Sequence, residues 1–268
     1  MTLAIAVKYP FGDLANALTS VARLRNVQYR QAIIFITDSR WSYDNPERFE
    51  DIGAKVFTVD NSTVMAYAGD VLAAENCIET LTNKVANPRN KRVDIISVLK
   101  RTYKHHLKNR PVVMPVLFLL GKYLRTGEVK LFFLKSPDFV HQEIQGIKGI
   151  GNNNAWNDVI NKVAPVINDV SKYSLSEKDY MTIAVHFMSA MYGLVKYKDI
   201  GGPIQYRILD SNGVSTSEVS FTSDPTGKTD DWHQVTAGAN DITTLKKRWN
   251  LNPDYLTEKA FGLHSHCD

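Results

Sequence analysis

The sequence predicts a mixed α+β fold in which two β-sheets lie between two layers of helices, a four-layer αββα sandwich. The elements follow the order strands, two helices, strands, two helices and strands. The predicted helices have apolar residues on one face, so each needs an apolar surface to cover it. No repeat or linker divides residues 1–210, which predicts one domain, followed by a partly helical C-terminal extension over 211–268.

The strands are predicted from short runs of β-branched and apolar residues bounded by turn residues. A Gly- and Asn-rich turn is predicted over residues 149–154. The predicted strands are residues 2–9, 31–38, 55–59, 64–67, 112–120, 129–134, a short strand at 143–148, and 204–210.

The helices are predicted from apolar residues that recur at helical spacing. Ser176 and Asp179 stand close to a capping-box pattern and predict the start of a helix that continues through Met191. The other predicted helices are residues 13–30, 71–85, 93–108 and 155–170, with a further helical signal at 242–249.

The composition is that of an ordinary globular protein, with 44% hydrophobic residues, 22% charged residues and a formal net charge of +4. The longest apolar run, 112–120, contains Pro115 and is far too short to cross a bilayer. The first residues lack the basic and apolar regions of a signal peptide. We therefore expect a cytoplasmic protein with no membrane partner.

Basic side chains are concentrated between residues 100 and 110. A solvated helix face is the common explanation of such a cluster, and an anionic partner is the alternative. The segment lacks the interleaved aromatic residues of nucleic-acid-binding modules, so nucleic acid is an unlikely partner. The cluster consists of Lys100, Arg101, Lys104, His105, His106, Lys108 and Arg110.

The two cysteines do not predict a disulfide framework. Cys77 lies in an apolar helical stretch and is interpreted as a core residue, whereas Cys267 is next to the C-terminus. His264, His266 and Cys267 form only a weak metal-binding pattern. No metal or cofactor is predicted.

Thr2 is the candidate nucleophile. If Met1 is removed, the α-amine of Thr2 can act as the base that activates its own hydroxyl, because the pKa of an α-amine is far below that of a lysine. Such a residue must stand at the very end of the chain on a rigid strand, and the strand predicted at 2–9 meets this requirement.

Three further segments follow Thr2: TDSR at 37–40, GAKVF at 53–57 and MAYAGD at 65–70, the last followed by a helix. With these residues the chain resembles the proteasome β-subunits and their bacterial relative, the peptidase that works with an unfoldase. These proteins are N-terminal-nucleophile (Ntn) hydrolases. The spacings from Asp38 to Lys55 and from Lys55 to Gly69 are similar to those of the family. The resemblance is strong over 2–81, traceable to about 210, and absent beyond.

The resemblance implies a role for each of these residues. Thr2 Oγ attacks the scissile carbonyl, and Lys55, paired with Asp38, stabilises the deprotonated nucleophile. The backbone N–H of Gly69 contributes to the oxyanion hole. Asp199 reaches the N-terminal amine. Without the resemblance, Asp38 and Lys55 are equally well explained as a surface ion pair, and Gly69 as a turn.

The sequence departs from the family pattern in three places. Ile150 stands where the family has a serine between two glycines. Ile200 replaces a second serine before Gly201, and Asp199 is nearer the glycines than the family's aspartate. The predicted helix 13–30 is an insertion between the first two strands.

The favoured interpretation is a threonine-type hydrolase that cleaves peptide or other amide bonds. The alternatives are an inactive proteasome-like scaffold and, less favoured, a nucleic-acid-associated protein. The resemblance also implies a homo-oligomer, a ring or a dimer, and leaves an unfoldase or ATPase partner open. Apolar residues on the helices are candidates for the contact between copies, for example Ile78, Leu81, Ile96 and Leu99.

Overall fold

The computed structural model describes residues 2–25, 31–42, 49–50, 54–89, 93–110, 114–169, 180–194, 197–201 and 204–215. Within these residues the protein is a mixed α+β structure with two five-stranded antiparallel sheets, a short two-stranded ribbon and five helices. The predicted α+β class is therefore confirmed. In the described part of the chain, no helix is long and apolar enough to cross a membrane.

The two sheets take their strands from different parts of the chain. The helices are α1 (Gly12–Arg25), α2 (Val71–Ala86), α3 (Ile95–Asn109), α4 (Asn153–Ile167) and α5 (Tyr180–Tyr192). The strands are β1 (Leu3–Tyr9), β2 (Ala32–Thr37), β3 (Trp41–Ser42), β4 (Phe49–Glu50), β5 (Val56–Asp60), β6 (Thr63–Ala68), β7 (Leu117–Tyr123), β8 (Val129–Lys135), β9 (Gln142–Ile144), β10 (Ile147–Gly151), β11 (Gln205–Asp210) and β12 (Gly213–Ser215). The first sheet has the order β10-β1-β2-β11-β12, and the second follows the chain from β5 to β9.

Side chains of the first sheet alternate between two cores, as the two-residue period of a strand requires. In β1, Leu3 and Ile5 belong to a core that also contains residues of α1, α4 and α5. Ala4 and Ala6 point the other way, into a core shared with the second sheet. Burial on both faces explains why β1 reads as an unbroken apolar run.

The second sheet is covered in the same way. Tyr67 of β6 lies in a core with apolar residues of α2 and α3, whereas Ala66 lies in the core between the sheets. Close packing between the sheets depends on Gly121 of β7, because a Cβ atom there would lie 2.7 Å from the ring of Phe35. Three separate cores therefore hold the described helices and sheets together.

The predicted turn over 149–154 is wrong in its first half. Residues 149–151 belong to β10, which pairs with β1, Leu3 lying opposite Gly151. The glycine at 149 has a packing role, because a Cβ atom there would lie 2.4 Å from the ring of Trp156 on α4. The glycine therefore reflects a close helix–sheet approach, which the sequence pattern alone does not distinguish from a turn.

Other boundaries also differ from the prediction. The single strand predicted over 143–148 is two strands, β9 and β10, and α4 starts at Asn153 because Asn152 caps it. The strand predicted from 112 begins at Leu117. Beyond Asp210, β12 pairs with β11. The helix start at Ser176, the helical signal at 242–249 and the end of helix 13–30 beyond Arg25 lie outside the described residues.

Candidate active site

Four chain segments meet at one end of the first sheet, where the central strands begin or end. The register places Leu3 opposite Gly151, Ala4 opposite Thr37, and Thr37 opposite Gln205. The start of β1, the ends of β2 and β10, and the segment before β11 therefore lie side by side. Thr2 lies at this end of the sheet and is 5% exposed.

Asp38 follows β2 directly and is 1% exposed. Its Oδ1 accepts a hydrogen bond of 2.9 Å from the backbone N–H of Leu3. Its Oδ2 accepts from the N–H groups of Arg40 at 3.2 Å and Gly201 at 3.4 Å. One carboxylate thus connects the residue after Thr2 with the turn after β2 and the segment before β11.

Lys55 precedes β5 and is fully buried. Its Nζ lies 2.9 Å from Asp38 Oδ2 and also donates a hydrogen bond to the carbonyl oxygen of Arg40. Its backbone N–H donates to the side chain of Gln205 at 3.2 Å. Solvent screening, which makes exposed ion pairs weak, does not act on this pair.

Burial raises the pKa of Asp38, because the charged carboxylate loses its hydration. The ammonium group of Lys55 and the N–H groups of Leu3 and Gly201 act in the opposite direction, since each stabilises the charged form. The ionised state of Asp38 therefore depends on these partners remaining in place.

Two glycines at strand ends allow close backbone approaches, and one of them lies against Thr2. Gly151 has φ +106°, and a Cβ atom there would lie 1.7 Å from the carbonyl oxygen of Thr2 and 3.4 Å from the Cβ of Ala68. Gly69 has φ +103°, and a Cβ atom there would lie 2.0 Å from the carbonyl oxygen of Pro115. The end of β6, where Ala68 precedes Gly69, therefore lies beside Thr2 and Gly151.

Asn152 also lies at this end of the sheet, and the sequence interpretation missed it. Its backbone N–H donates to the carbonyl oxygen of Thr2 at 2.9 Å. Its Nδ2 lies 3.1 Å from Asp199 Oδ2 and 3.4 Å from Asp199 Oδ1, while its own Oδ1 caps α4. Asp199 is thus linked to Thr2 through Asn152. The signal in the sequence is an Asn immediately before a helix, a typical N-cap.

Arg40 is the second residue whose role was missed. It is 2% exposed, and its guanidinium donates to the carbonyl oxygens of Lys198 at 3.1 Å and Ile200 at 3.5 Å. A Cβ atom at Gly201 would lie 2.5 Å from the guanidinium carbon. Arg40 therefore holds the segment that carries Asp199, and the glycine leaves room for it.

The two isoleucines that the resemblance places at serine positions are core residues. Ile150 and Ile200 are each 4% exposed. Ile150 lies in the core between the sheets, and Ile200 in the core that α1, α4 and α5 cover. Neither side chain has a hydroxyl group to offer the N-terminal amine.

The cysteines and the metal pattern do not enter this site. Cys77 is buried in the core under α2 and α3, as expected, and burial raises its pKa to about 12, so the thiol is not reactive. His264, His266 and Cys267 lie outside the described residues. Within the described ranges, no group of three or more His, Cys, Asp or Glu residues is placed to hold a metal ion.

Two comparisons with known proteins found no match that could assign a function to this site. No protein-family model matches the chain, and a search of curated proteins found no match. The functional argument therefore depends on the residues at this end of the first sheet.

Proposed function

We propose that the chain is a threonine-type Ntn hydrolase that cleaves peptide or other amide bonds, with Thr2 as nucleophile after removal of Met1. The observation that carries the proposal is the buried contact between Lys55 and Asp38 together with the hydrogen bond from the N–H of Leu3 to the same carboxylate. A cytoplasmic location suits this chemistry, because cytosolic aminopeptidases remove Met before a small residue such as Thr.

In the proposed reaction, Thr2 Oγ attacks the carbonyl carbon and passes its proton to the α-amine of Thr2. The carbonyl oxygen becomes an oxyanion, to which the backbone N–H of Gly69 donates. The C–N bond then breaks, the amine product leaves with the proton, and an ester on Thr2 remains. A water molecule hydrolyses this ester and regenerates Thr2.

Lys55 supplies positive charge that favours the deprotonated hydroxyl of Thr2. Charge acts strongly there because both Lys55 and Asp38 are shielded from water. Asp38 holds the ammonium group and, through the N–H of Leu3, the start of β1. A preorganised arrangement of this kind needs little rearrangement when the charge of the transition state develops.

Asp199 and Asn152 take the place of the missing serines in this proposal. The side-chain amide of Asn152 donates to the carboxylate of Asp199, its backbone N–H donates to the carbonyl oxygen of Thr2, and Arg40 holds the segment that carries Asp199. In the proposed reaction, the negative charge of Asp199 stabilises the ammonium group that forms when the α-amine takes the proton of Thr2 Oγ. Asn152 is a positioning residue in this scheme.

The full αββα arrangement is part of the same proposal. The core between the two sheets, and the helices over the outer face of each, support four layers. A four-layer sandwich with Thr2 at the start of a central strand is the arrangement that the resemblance to proteasome β-subunits implies.

An inactive proteasome-like scaffold is the second candidate. The observation that favours it is the presence of Ile150 and Ile200 where the family has serines, both packed into cores. A scaffold does not require a reactive Thr2, so the two candidates differ in one measurable property.

Reaction with a threonine-directed epoxyketone, followed by intact-mass analysis, separates the two candidates. The hydrolase is expected to lose Met1 and to gain one equivalent of the epoxyketone. A protein that retains Met1, or that has a free Thr2 and no adduct, would support the scaffold. Peptide mapping of the adduct locates the modified residue.

Assembly into a homo-oligomer stays part of the proposal, but three of the four residues predicted for the contact lie in a core. Ile78, Leu81 and Leu99 are buried in the core that α2 and α3 form with the second sheet, and Ile96 packs against it. The three buried residues are not available to another copy, whereas Ile96 is only partly buried. Exposed apolar side chains are found instead at Leu72 and Leu107.

A further inference from the structure

A cleft between α2 and α3 shares no residue with the candidate active site. Its volume is about 420 Å³, within the usual range of small-ligand sites. Its lining side chains are rich in hydrogen-bond donors, and those that the structure describes include no carboxylate and no aromatic ring other than imidazole. The lining includes Asn76, Thr80, His105, His106, Asn109 and Arg110.

The hydrogen bonds of the two histidines leave a ring proton on each. The Asn76 amide Nδ2 lies 2.8 Å from Nδ1 of His106; with the amide donating to a neutral ring, the ring proton is on Nε2. The Asn109 amide Nδ2 lies 3.3 Å from Nε2 of His105, which places the proton of that ring on Nδ1. Neither ring N–H has a hydrogen-bond partner among the described residues.

Most lining residues of the cleft are exposed, but the burial of one of them argues against a merely solvated face. His106 is 8% exposed although it carries a polar ring, and its partner Asn76 comes from the neighbouring helix. A solvated basic face needs neither a cleft nor a buried imidazole. Polar groups in a concave site that converge from two helices are typical of ligand binding.

The charge around the cleft is positive. Arg110 contributes a full charge, and the 15 residues of α3 include no Asp or Glu. The C-terminus of α3 carries about half a negative charge, which acts against an anion and is outweighed by the full positive charge of Arg110. Glu79 of α2 is exposed and is not part of the lining.

We propose that this cleft binds a small phosphate-type oxyanion. Arg110 pairs with the anion, while the ring N–H groups of His105 and His106 and the hydroxyl of Thr80 donate hydrogen bonds to its oxygens. A nucleic-acid strand fits less well, because the lining converges on one point and lacks the stacking platform that single strands use. The proposal does not depend on the function of Thr2.

Isothermal titration of the full chain with inorganic phosphate, pyrophosphate and glycerol phosphate tests the site. One anion per chain is expected, and the tightest of the three probes shows whether the source is free phosphate or an ester. Arg110→Gln should weaken binding about tenfold or more, as loss of a charge-assisted hydrogen bond implies. His105→Gln should weaken it in the same direction.

Arg101→Gln is the matched control, since Arg101 is exposed on the same helix, has the same charge, and does not line the cleft. It should change the affinity less than about twofold, because Arg101 lies nine residues, about 14 Å of helix, before Arg110, and charge is screened over that distance. Equal losses for the two arginine variants, or no binding at about 10 mM of any probe, would overturn the site. Tight, salt-dependent binding of an oligonucleotide that Arg101→Gln weakens equally would point to a nucleic-acid surface instead.

Discussion

Lys55 Nζ lies 2.9 Å from Asp38 Oδ2, and the two side chains are 0% and 1% exposed. The other oxygen of the same carboxylate accepts the N–H of Leu3, the residue that follows Thr2. Because the carboxylate is held by both contacts, a change at the ion pair also affects the position of the strand start. Stability and the proposed chemistry are therefore coupled at Asp38.

Removal of either partner of this pair should destabilise the fold. Asp38→Asn or Lys55→Met leaves a buried charge without its partner, which typically costs about 3–5 kcal/mol. The double variant should cost clearly less than the sum of the two single changes. Urea denaturation measures the stability, and the epoxyketone reaction rate measures the effect on Thr2, which should be non-additive as well.

Lys130 and Glu143 provide the control pair. Their charged atoms are 3.6 Å apart, but both side chains are about one-third exposed. The same double-mutant cycle at this pair should give a coupling energy of no more than about 1 kcal/mol. Fully additive effects at Asp38 and Lys55 would mean that the two residues act independently and would contradict their role as a unit.

Thr2→Ala should abolish hydrolysis and epoxyketone modification while the protein stays folded, because the nucleophilic oxygen is lost. Thr2→Ser should keep a measurable rate, since it retains a hydroxyl group next to the amine. Thr58→Ala, at an exposed position of β5, is the control and should behave as wild type. Turnover by Thr2→Ala at the wild-type rate would rule out Thr2 as the nucleophile.

Asn152 has two functions that substitution can separate. Asn152→Ser keeps a good N-cap for α4 but loses the amide that reaches Asp199, so stability should change little. The epoxyketone reaction should slow by about tenfold, as expected for loss of a hydrogen bond to a charged group. Asn152→Ala should slow it to the same degree and also cost about 1 kcal/mol of stability.

The relative epoxyketone reaction rates of the two Asn152 variants decide between the two functions. If Asn152→Ser reacts as fast as wild type and only Asn152→Ala is slower, the residue acts as a helix cap alone. If wild type itself does not react, the proposed hydrolase fails before the role of Asn152 is tested.

Gly69→Ala should destabilise the protein strongly. The new Cβ would lie 2.0 Å from the carbonyl oxygen of Pro115, and φ of +103° is unfavourable for alanine. Gly127→Ala is the matched control, since φ is +87° but the nearest atom would be 3.8 Å away. Gly127→Ala should therefore cost only the backbone strain, about 1–3 kcal/mol. Urea denaturation measures the free energy of unfolding of both variants. Equal losses would show that the structure shifts to relieve the collision at Gly69.

The oligomer prediction is checked by light scattering. A mass above the 30.2 kDa of one chain at micromolar concentration is expected. Leu72→Glu and Leu107→Glu place charges on side chains that are 46% and 44% exposed, so they should lower the mass without unfolding the protein. Val140→Glu, at a more exposed position, should leave the mass unchanged. A wild-type mass of 30.2 kDa would contradict the assembly.

The strand ends at the candidate site were largely accessible from the sequence. Asp38 and Gly69 directly follow β2 and β6, and Lys55 directly precedes β5, so a local apolar run followed or preceded by a polar residue or a glycine was enough to locate them. The pairing of Asp38 with Lys55 was expected only through the resemblance. The contact itself joins segments 17 residues apart, and no local pattern encodes it.

Asn152 and Arg40 show what local patterns miss. Arg40 contacts Lys198 and Ile200 over 158 and 160 residues of separation, and Asn152 contacts Asp199 over 47. These contacts arise because β1, β2, β10 and β11 are neighbours in one sheet. A one-dimensional sequence contains no direct signal for that neighbourhood.

The sequence by itself determined the periodicity of the elements, and with it the α+β class, because apolar side chains must be buried at the spacing of a strand or a helix. It also determined which polar residues stand at the strand ends. Only the tertiary structure decided that Asp38 and Lys55 are buried and that the glycine at 149 packs under Trp156. Burial and close approach depend on atoms from distant parts of the chain, so they are properties of the packed molecule.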